Sequence, residues 1–557
     1  MAERVSRQRA STMANIATPV VSSLSKLIAV SKTLLAMLSI ATITGLASLV
    51  AHQVATTNHL HACDHAHRPS SCRAILSEAA PFRILPWTKT QLLHGLLEQS
   101  LPQIERAMKA ADSIRRRIND PNHQTGLSDC MQLMNLSLDR LEDSLLLLGE
   151  DLTQQSHADV HTWLSAVLTN YVTCADGLGG HAKLWMKDDL DRMMALAKTS
   201  LALVSAISPP NEGDLIGRLA GEFPWWVSAR DRNLLEASPN QIGADVVVAK
   251  DGSGKYKSVQ AEVNAAPENS KVRYVIYVKK GTYKEKVDIG KKKKNIMLVG
   301  DGMDSNIITG SLNVVDGSTT FNSATVAAVG EGFMAQDICF ENTAGPEKQQ
   351  AVALRVGADK SVINRCRIDA YQDTLYPHSQ RQFYRDSHIS GTIDFIFGNA
   401  AVVFQNCSLI ARKPMKDQKN MVTAQGRTDP NQNTGTSIQN CYVIPSAALA
   451  PVNGSYPTYL GRPWKEYSRT VYMQSFIDSH INPAGWYPWN GSFALATLYY
   501  GEYANYGPGA GTSKRVNWPG YHVITDPSVA MNFTVGELIQ GEEWLEGTGV
   551  DFTLGLL

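Results

Sequence analysis

The run V-I-N-R-C-R-I at Val362–Ile368 decides how the second half of this chain is read, because close variants of it recur. They stand at Ala335–Glu341 (A-Q-D-I-C-F-E), Tyr384–Ser390 (Y-R-D-S-H-I-S), Val403–Leu409 (V-F-Q-N-C-S-L) and Ser437–Val443 (S-I-Q-N-C-Y-V). Each has an apolar or aromatic residue, then Asn, Asp or Gln, then Cys or His at a nearly fixed place. The step is roughly twenty to thirty-five residues, the interval of a solenoid. Short Val, Ile, Phe and Tyr runs bounded by Gly, Asn and Asp read as strands, and no helical period competes with them from about Asp245 onward. The expected fold is a right-handed parallel β-helix, with the longer turns gathered on one side.

That alignment places Cys339, Cys366, Cys407 and Cys441 in one column, with His388 between Cys366 and Cys407. Neighbouring coils lie about 4.8 Å apart, within the Cα separation a disulfide tolerates. The expectation is two bonds, Cys339–Cys366 and Cys407–Cys441, against the alternative of a ladder of free core thiols. The same repeat carries two aspartates about one coil apart, Asp373 in Y-Q-D-T-L and Asp394 in D-F-I-F-G. Carboxylates on one face cannot both ionise freely, which suits acid, base and nucleophile chemistry.

The chain has 557 residues, too many for one ordinary core, so at least two domains are expected. Its 52 basic and 52 acidic side chains cancel, which argues against nucleic acid as a partner. The dense basic run Lys291–Lys294 reads as a solvated turn, or as an attractor for a polyanion. Residues 1–54 carry Arg4, Arg7, Arg9, Lys26 and Lys32 ahead of the apolar stretch Thr33–Ala51, the pattern of a signal peptide or a signal anchor with its basic end cytoplasmic. Either delivers the rest to an oxidising compartment, in keeping with eight cysteines and with sequons at Asn135, Asn453, Asn490 and Asn532.

Residues 55–208 change to a helical period. Gln91–Ile118, Asp129–Gly149, His157–Leu178 and Leu184–Ile207 have apolar residues at i, i+3 and i+4. They predict a four-helix bundle, with Cys63–Cys72 closing a leading hairpin and Cys130–Cys174 joining two helices. The histidines at 59, 61, 65 and 67 read as an exposed leader, so no metal is expected there. Residues 209–240 show neither period and form a linker in which Arg232-Asn233-Leu234-Leu235 marks a site for proteolytic processing. The β-helix occupies 241–557.

Five blocks, G-T-Y-K-E (Gly281–Glu285), Q-A-V-A-L (Gln350–Leu354), Y-Q-D-T-L (Tyr371–Leu375), D-F-I-F-G (Asp394–Gly398) and L-G-R-P-W (Leu460–Trp464), together resemble the plant pectin methylesterases. The helical segment, with T-N-Y-V-T-C-A-D-G at Thr169–Gly177, resembles the inhibitor domain that precedes the catalytic domain in two-domain members. The resemblance implies an esterase acting on methyl-esterified homogalacturonan in the cell wall, with no cofactor. It also implies an inhibitory pro domain, related separate inhibitor proteins as partners, and processing by a subtilase-type protease. Asn233 departs from the second basic residue usual at such processing sites.

Ester hydrolysis needs a nucleophile, a proton donor for methanol and donors to the oxyanion. The residues and the resemblance agree on Asp394 as nucleophile held ionised by Arg462, and on Asp373 as protonated acid and later base. Gln350 and Gln372 are the oxyanion donors. Trp464, Tyr376, Phe397 and Thr320 are the expected substrate contacts, together with Gln350 and Arg462. A polygalacturonase-like glycosidase on the same scaffold and a non-enzymatic inhibitor are the rival readings. No cluster of acids suited to calcium surrounds Asp373 or Asp394.

Overall fold

The protein is seen here as a computed structural model, described over residues 29–42, 44, 63–64, 66–79, 88–149, 152–208 and 243–557. The processing residues Arg232 and Leu235, and residues 43 and 45–51 of the apolar stretch Thr33–Ala51, lie outside these residues. Among the described residues, no helix is long and apolar enough to cross a membrane.

Five helices make the first unit: α1 (Pro69–Ala79), α2 (Lys89–Arg117), α3 (Pro121–Leu148), α4 (Gln154–Gly177) and α5 (Gly180–Ser205). Capping fixes their starts. Thr88 and Gln91 form a capping box at α2, and Thr153 with Ser156 does the same at α4. Helix α3 begins eight residues before the expected Asp129, because the Asp120 carboxylate accepts the N–H groups of Asn122 and His123 and Pro121 needs no donor at the first position. Disulfides join Cys63 to Cys72, at the lead-in to the bundle, and Cys130 of α3 to Cys174 of α4.

Residues 243–557 wind into three parallel sheets of eleven, seven and eight strands, the arrangement of a parallel β-helix. The seven-stranded sheet positions the site. Its strands are β1 (Val287–Ile289), β2 (Val326–Ala328), β3 (Leu354–Val356), β4 (Leu375–Pro377), β5 (Ile396–Gly398), β6 (Asn420–Gln425) and β7 (Thr458–Gly461). Val287, Val326, Leu354, Leu375 and Ile396 pair in one inward row and build the dry core. The alternate row turns Asp288, Ala327, Arg355, Tyr376, Phe397 and Ala424 outward.

The repeated polar residue has a backbone cause. Asp337, Arg365, Asp386, Asn406, Asn440 and Gln474 all hold positive φ, between 48° and 56°, at successive corners. Asn and Asp tolerate this left-handed conformation better than most L-residues. The residue after each corner forms the true column: Ile338, Cys366, Ser387, Cys407, Cys441 and Ser475.

This corrects the expected disulfides. Cys339 pairs in register with Arg367, which pairs with His388, so Cys339 and His388 stand one residue beyond the column. A slip of one residue turns a side chain to the opposite face, and Cys339 cannot meet Cys366. Cys407 and Cys441 do stack, but equivalent side chains on parallel coils are translated copies about 4.8 Å apart, wider than the usual Cβ separation of a disulfide. All four cysteines are free and buried. The column serves the backbone instead, where the N–H of Cys366 donates to Ser387 Oγ at 3.1 Å, that of Cys407 to Cys441 Sγ at 3.4 Å, and that of Cys441 to Ser475 Oγ at 3.0 Å.

The helical unit lies across the seven-stranded sheet, mainly through α4. His161 Nε2 donates to Asn431 O at 2.6 Å, Asn399 Nδ2 to Thr169 Oγ1 at 2.8 Å, Gln432 Nε2 to Ser165 O at 2.9 Å and Asn433 Nδ2 to Thr162 Oγ1 at 2.8 Å. Asp159 joins the buried Arg381–Asp359 pair. The basic run takes part as well, since Lys291 reaches Asp139 at 2.8 Å and Asn135 at 3.1 Å.

Alkylating the unfolded protein without reductant should modify the four cysteines at 339, 366, 407 and 441 and leave the other four blocked, as read by peptide masses. Protection of all eight would restore the expected pairs.

Candidate active site

Asp373 and Asp394 occupy equivalent corners just before β4 and β5, both with positive φ (63° and 52°). The coils are locked together there, since the N–H of Asp373 donates to Ile393 O at 3.0 Å. Left-handed backbone at a non-glycine residue is a strained choice that persists where the surroundings enforce it. Here it sets two carboxyls side by side above the outward row. Thr423 of β6 pairs with Gly461 of β7, and the next residue along, Arg462, returns across to Asp394. Its Nε and Nη2 donate to Asp394 Oδ1 and Oδ2 at 2.8 and 2.7 Å, a bidentate fork. The guanidinium also lies over the Trp489 ring, 4.4 Å from its centroid.

Electrostatics separate the two acids. Burial raises both carboxyls above the usual range. For Asp373 the Asp394 charge adds to burial, and it is lifted well above. For Asp394 the Arg462 hydrogen bonds and charge pull back against burial. The neighbour with the guanidinium therefore ionises first, and the one facing it keeps its proton.

Tyr376 and Phe397 stack at 4.1 Å between centroids on the floor, and Trp464 meets Phe397 edge-on at 5.9 Å. A Cβ on Gly426 would come within 2.8 Å of the Trp464 ring, so the glycine makes that position possible. All nine residues expected to act or bind, Gln350, Gln372, Asp373, Asp394, Arg462, Thr320, Tyr376, Phe397 and Trp464, line one cavity of about 610 Å³. The Gln350 side-chain oxygen is buried there without a partner.

The other wall was not foreseen. It comes from the helical unit, with Asn122, His123, Asp129, Thr173 and Asp176 among its residues. Thr319 Oγ1 donates to the Asp129 carboxylate, which burial pushes up to about 6. Thr173 Oγ1 bonds His378 Nε2 at 2.9 Å, and Lys465 pairs with Asp176 at 2.7 Å. Beneath Phe321 lies Arg355, 2% exposed, with its guanidinium 3.5 Å from the ring centroid. A charged residue in the middle of L-R-V was the available signal for it. Among the described residues, no group of His, Cys, Asp and Glu is arranged to hold a metal ion.

A bidentate Arg–Asp pair beside a second buried Asp, above an aromatic floor on a parallel β-helix, is an arrangement suited to a hydrolase. A pectinesterase family model matches residues 245–542, and a plant invertase/pectin methylesterase inhibitor model matches residues 58–203. The chain is 58% identical over 503 residues to a pectinesterase/pectinesterase inhibitor of Ficus pumila var. awkeotsang, spanning 89% of this chain and 92% of that one. It is 57% identical over 511 residues to pectinesterase 2.1 of Solanum lycopersicum, spanning 91% and 92%. Among solved structures, a pectin methylesterase from carrot superposes with a TM-score of 0.56 at 64% identity, over 57% of this chain and 99% of that one. The chain belongs to the pectinesterase family, in the form that carries an inhibitor-type domain ahead of the β-helix.

Replacing Arg462 by Met removes the charge that keeps Asp394 ionised, so the acid limb of the pH–activity profile should move up by about one unit or more. A profile displaced downward, or unmoved, would refute the assigned pairing.

Proposed function

We propose that this chain is a pectinesterase precursor whose β-helix hydrolyses methyl esters of galacturonate units in homogalacturonan, releasing methanol and leaving free carboxylates. The observation that carries this reading is the Arg462–Asp394 fork with Asp373 at the equivalent corner one coil away. Asp394 attacks the ester carbonyl carbon, and Gln350 and Gln372 donate to the oxygen that gains charge. Asp373 gives its proton to the leaving methanol. The anhydride so formed on Asp394 is cleaved by water, which passes a proton back to Asp373. Tyr376, Phe397, Trp464 and Thr320 hold the sugar chain.

The helical domain acts as an autoinhibitor in this reading. Its α4 covers the aromatic floor while none of its side chains bonds Asp373 or Asp394, among the contacts of the described residues. It blocks the polymer and leaves the carboxyls chemically intact. Tethering raises its effective concentration, so modest affinity suffices until the linker at Arg232–Leu235 is cut. Secretion to the cell wall fits the amino-terminal signal and the sequons, with a membrane-held precursor as one form of that route. A glycosidase would shorten the polymer, whereas the esterase releases methanol at constant chain length.

The fragment beginning after Leu235 should release methanol from methylated pectin faster than the full chain, and Asp394→Asn in that fragment should lower turnover at least about a thousandfold. Equal rates for fragment and full chain would remove the inhibitory role. Turnover unchanged by the substitution would remove the mechanism.

Asp129 gives the docking a pH dependence. Its docked pKa of about 6 exceeds the ordinary carboxylate value, so docking stability is complete below about pH 4 and is lost as pH rises through about 6. The change is on the order of 3 kcal/mol. Full-chain activity relative to the fragment should therefore climb across that window, and Asp129→Asn should flatten the climb.

A further inference from the structure

The catalytic pair divides the outer surface into two unlike sides. Downstream of Asp373 and Asp394 lie Tyr376 and Phe397, apolar and covered by the helical domain. Upstream, on the same coils, the chain sets out a series of cations over tyrosine rings. The Arg412 guanidinium lies 3.9 Å from the Tyr371 centroid, Lys413 lies 5.6 Å from that of Tyr456, and Lys419 lies 4.5 Å from that of Tyr487. Lys419 Nζ also donates to Tyr487 Oη at 2.8 Å, and Tyr487 meets Tyr459 at 4.9 Å between centroids.

This group is tied to the site through the backbone. Tyr371 stands two residues before Asp373. Strand β6, which Lys419 leads into, bonds the segment around Asp394 through Met421, whose N–H donates to Thr392 O and whose carbonyl accepts from Phe395. Tyr459 pairs with Met421 and stands three residues before Arg462. The loop from Arg412 to Lys419 holds four cations and one acid, Asp417. Among the described residues, none of the four cations pairs with a carboxylate, whereas Lys291, Lys292 and Lys294 of the other basic run all do. Among the described residues, the helical domain contributes no hydrogen bond or ion pair to these residues.

We infer that Arg412, Lys413 and Lys419, backed by Tyr371, Tyr456 and Tyr487, form a binding lane for free galacturonate carboxylates beside the catalytic pair. The inference deepens the pectinesterase reading and rests on it. A methyl-esterified unit is neutral and suits the aromatic floor. A unit that has lost its methyl group is an anion, and cations over rings, of which Arg412 donates to Ala370 O and Lys419 to Tyr487 Oη but none meets a carboxylate among the described residues, offer it charge and a flat surface for the sugar face. The lane thus takes the acidic, already hydrolysed part of the polymer while the floor takes the esterified part.

The test is calorimetric titration of the full chain with a short, fully de-esterified oligogalacturonide, which the enzyme cannot turn over. The double variant Lys413→Met, Lys419→Met should weaken binding by about tenfold, and the parent's binding should fade with added salt. Lys413→Arg with Lys419→Arg should retain it, which separates loss of charge from loss of fold. Lys271→Met with Lys514→Met, an equal charge change elsewhere, should leave it unaltered. In the processed fragment the Met variant should raise KM for sparsely esterified pectin more than for fully esterified pectin. Unchanged binding, equal weakening by the remote pair, or equal KM effects on both polymers would overturn the lane. Failure of the parent fragment to release methanol would fault the esterase reading instead, and the titration would still decide whether the lane exists.

Discussion

Everything functional in this protein depends on coil-to-coil register. Each turn of the β-helix is a weak unit that cannot bury its own apolar face, and only stacking closes the core. Stacking at a fixed spacing also means that a residue chosen at one position is set directly beside its counterpart on the next coil. Asp373 and Asp394 are neighbours for that reason alone, being the same corner of two successive turns. The ionisation asymmetry then comes from one long-range contact, Arg462 returning from β7 to the second corner. Burial raises both acids, so a small asymmetry in partners is enough to decide which one keeps the proton.

Register was also the point at which the sequence was easiest to misread. The recurring Asn or Asp before Cys was visible in the sequence, and the structure places it at the corners. It did not say which following residue faces inward. Placing Cys339 and His388 beside Cys366 shifted two members by one residue, and strand geometry converts that error into the wrong face. The expected disulfides failed there. For Cys407 and Cys441 the register was right, but proximity of Cα atoms is not the geometry of a bond. The start of α3 was missed for a different reason. Apolar periodicity marks where a helix is buried, whereas Asp120-Pro121 marks where it begins, and the two are separated by a solvent-facing first turn. The five residues proposed as catalytic, which the structure brings to one cavity, were legible because each lies in a local block. The second wall was not, because docking of α4 across the sheet is carried largely by polar side chains, Thr, Ser, Asn and Gln with His161 and Asp159, that have no periodic signature.

That polar composition has consequences for the interface. Asn399, Gln432 and Asn433 use side-chain amides to bond Thr169, Ser165 and Thr162 across the interface, while Thr169 and Ser165 also bond each other within α4. A contact of this kind dissolves without exposing a large greasy surface on the helical side, unlike an obligate interface. The apolar share is concentrated on the catalytic side, in Phe321, Tyr376 and Phe397. Those rings have a second use once the helical domain leaves, so their exposure is part of the working state rather than a defect.

The basic run at Lys291–Lys294 and the loop at Arg412–Lys419 look alike in sequence, and the structure treats them in opposite ways. In the first, Lys291, Lys292 and Lys294 meet Asp139, Glu268 and Glu331, and Lys293 caps carbonyls of the chain, so the charge is consumed internally. In the second, Arg412, Lys413 and Lys419 rest on aromatic rings, and no cation of the loop meets a carboxylate among the described residues. Rings orient a cation without neutralising it, which keeps its field available to an incoming anion. Charge density in sequence therefore says little about binding until the internal partners are known. The discriminating feature is the identity of what lies beneath each cation.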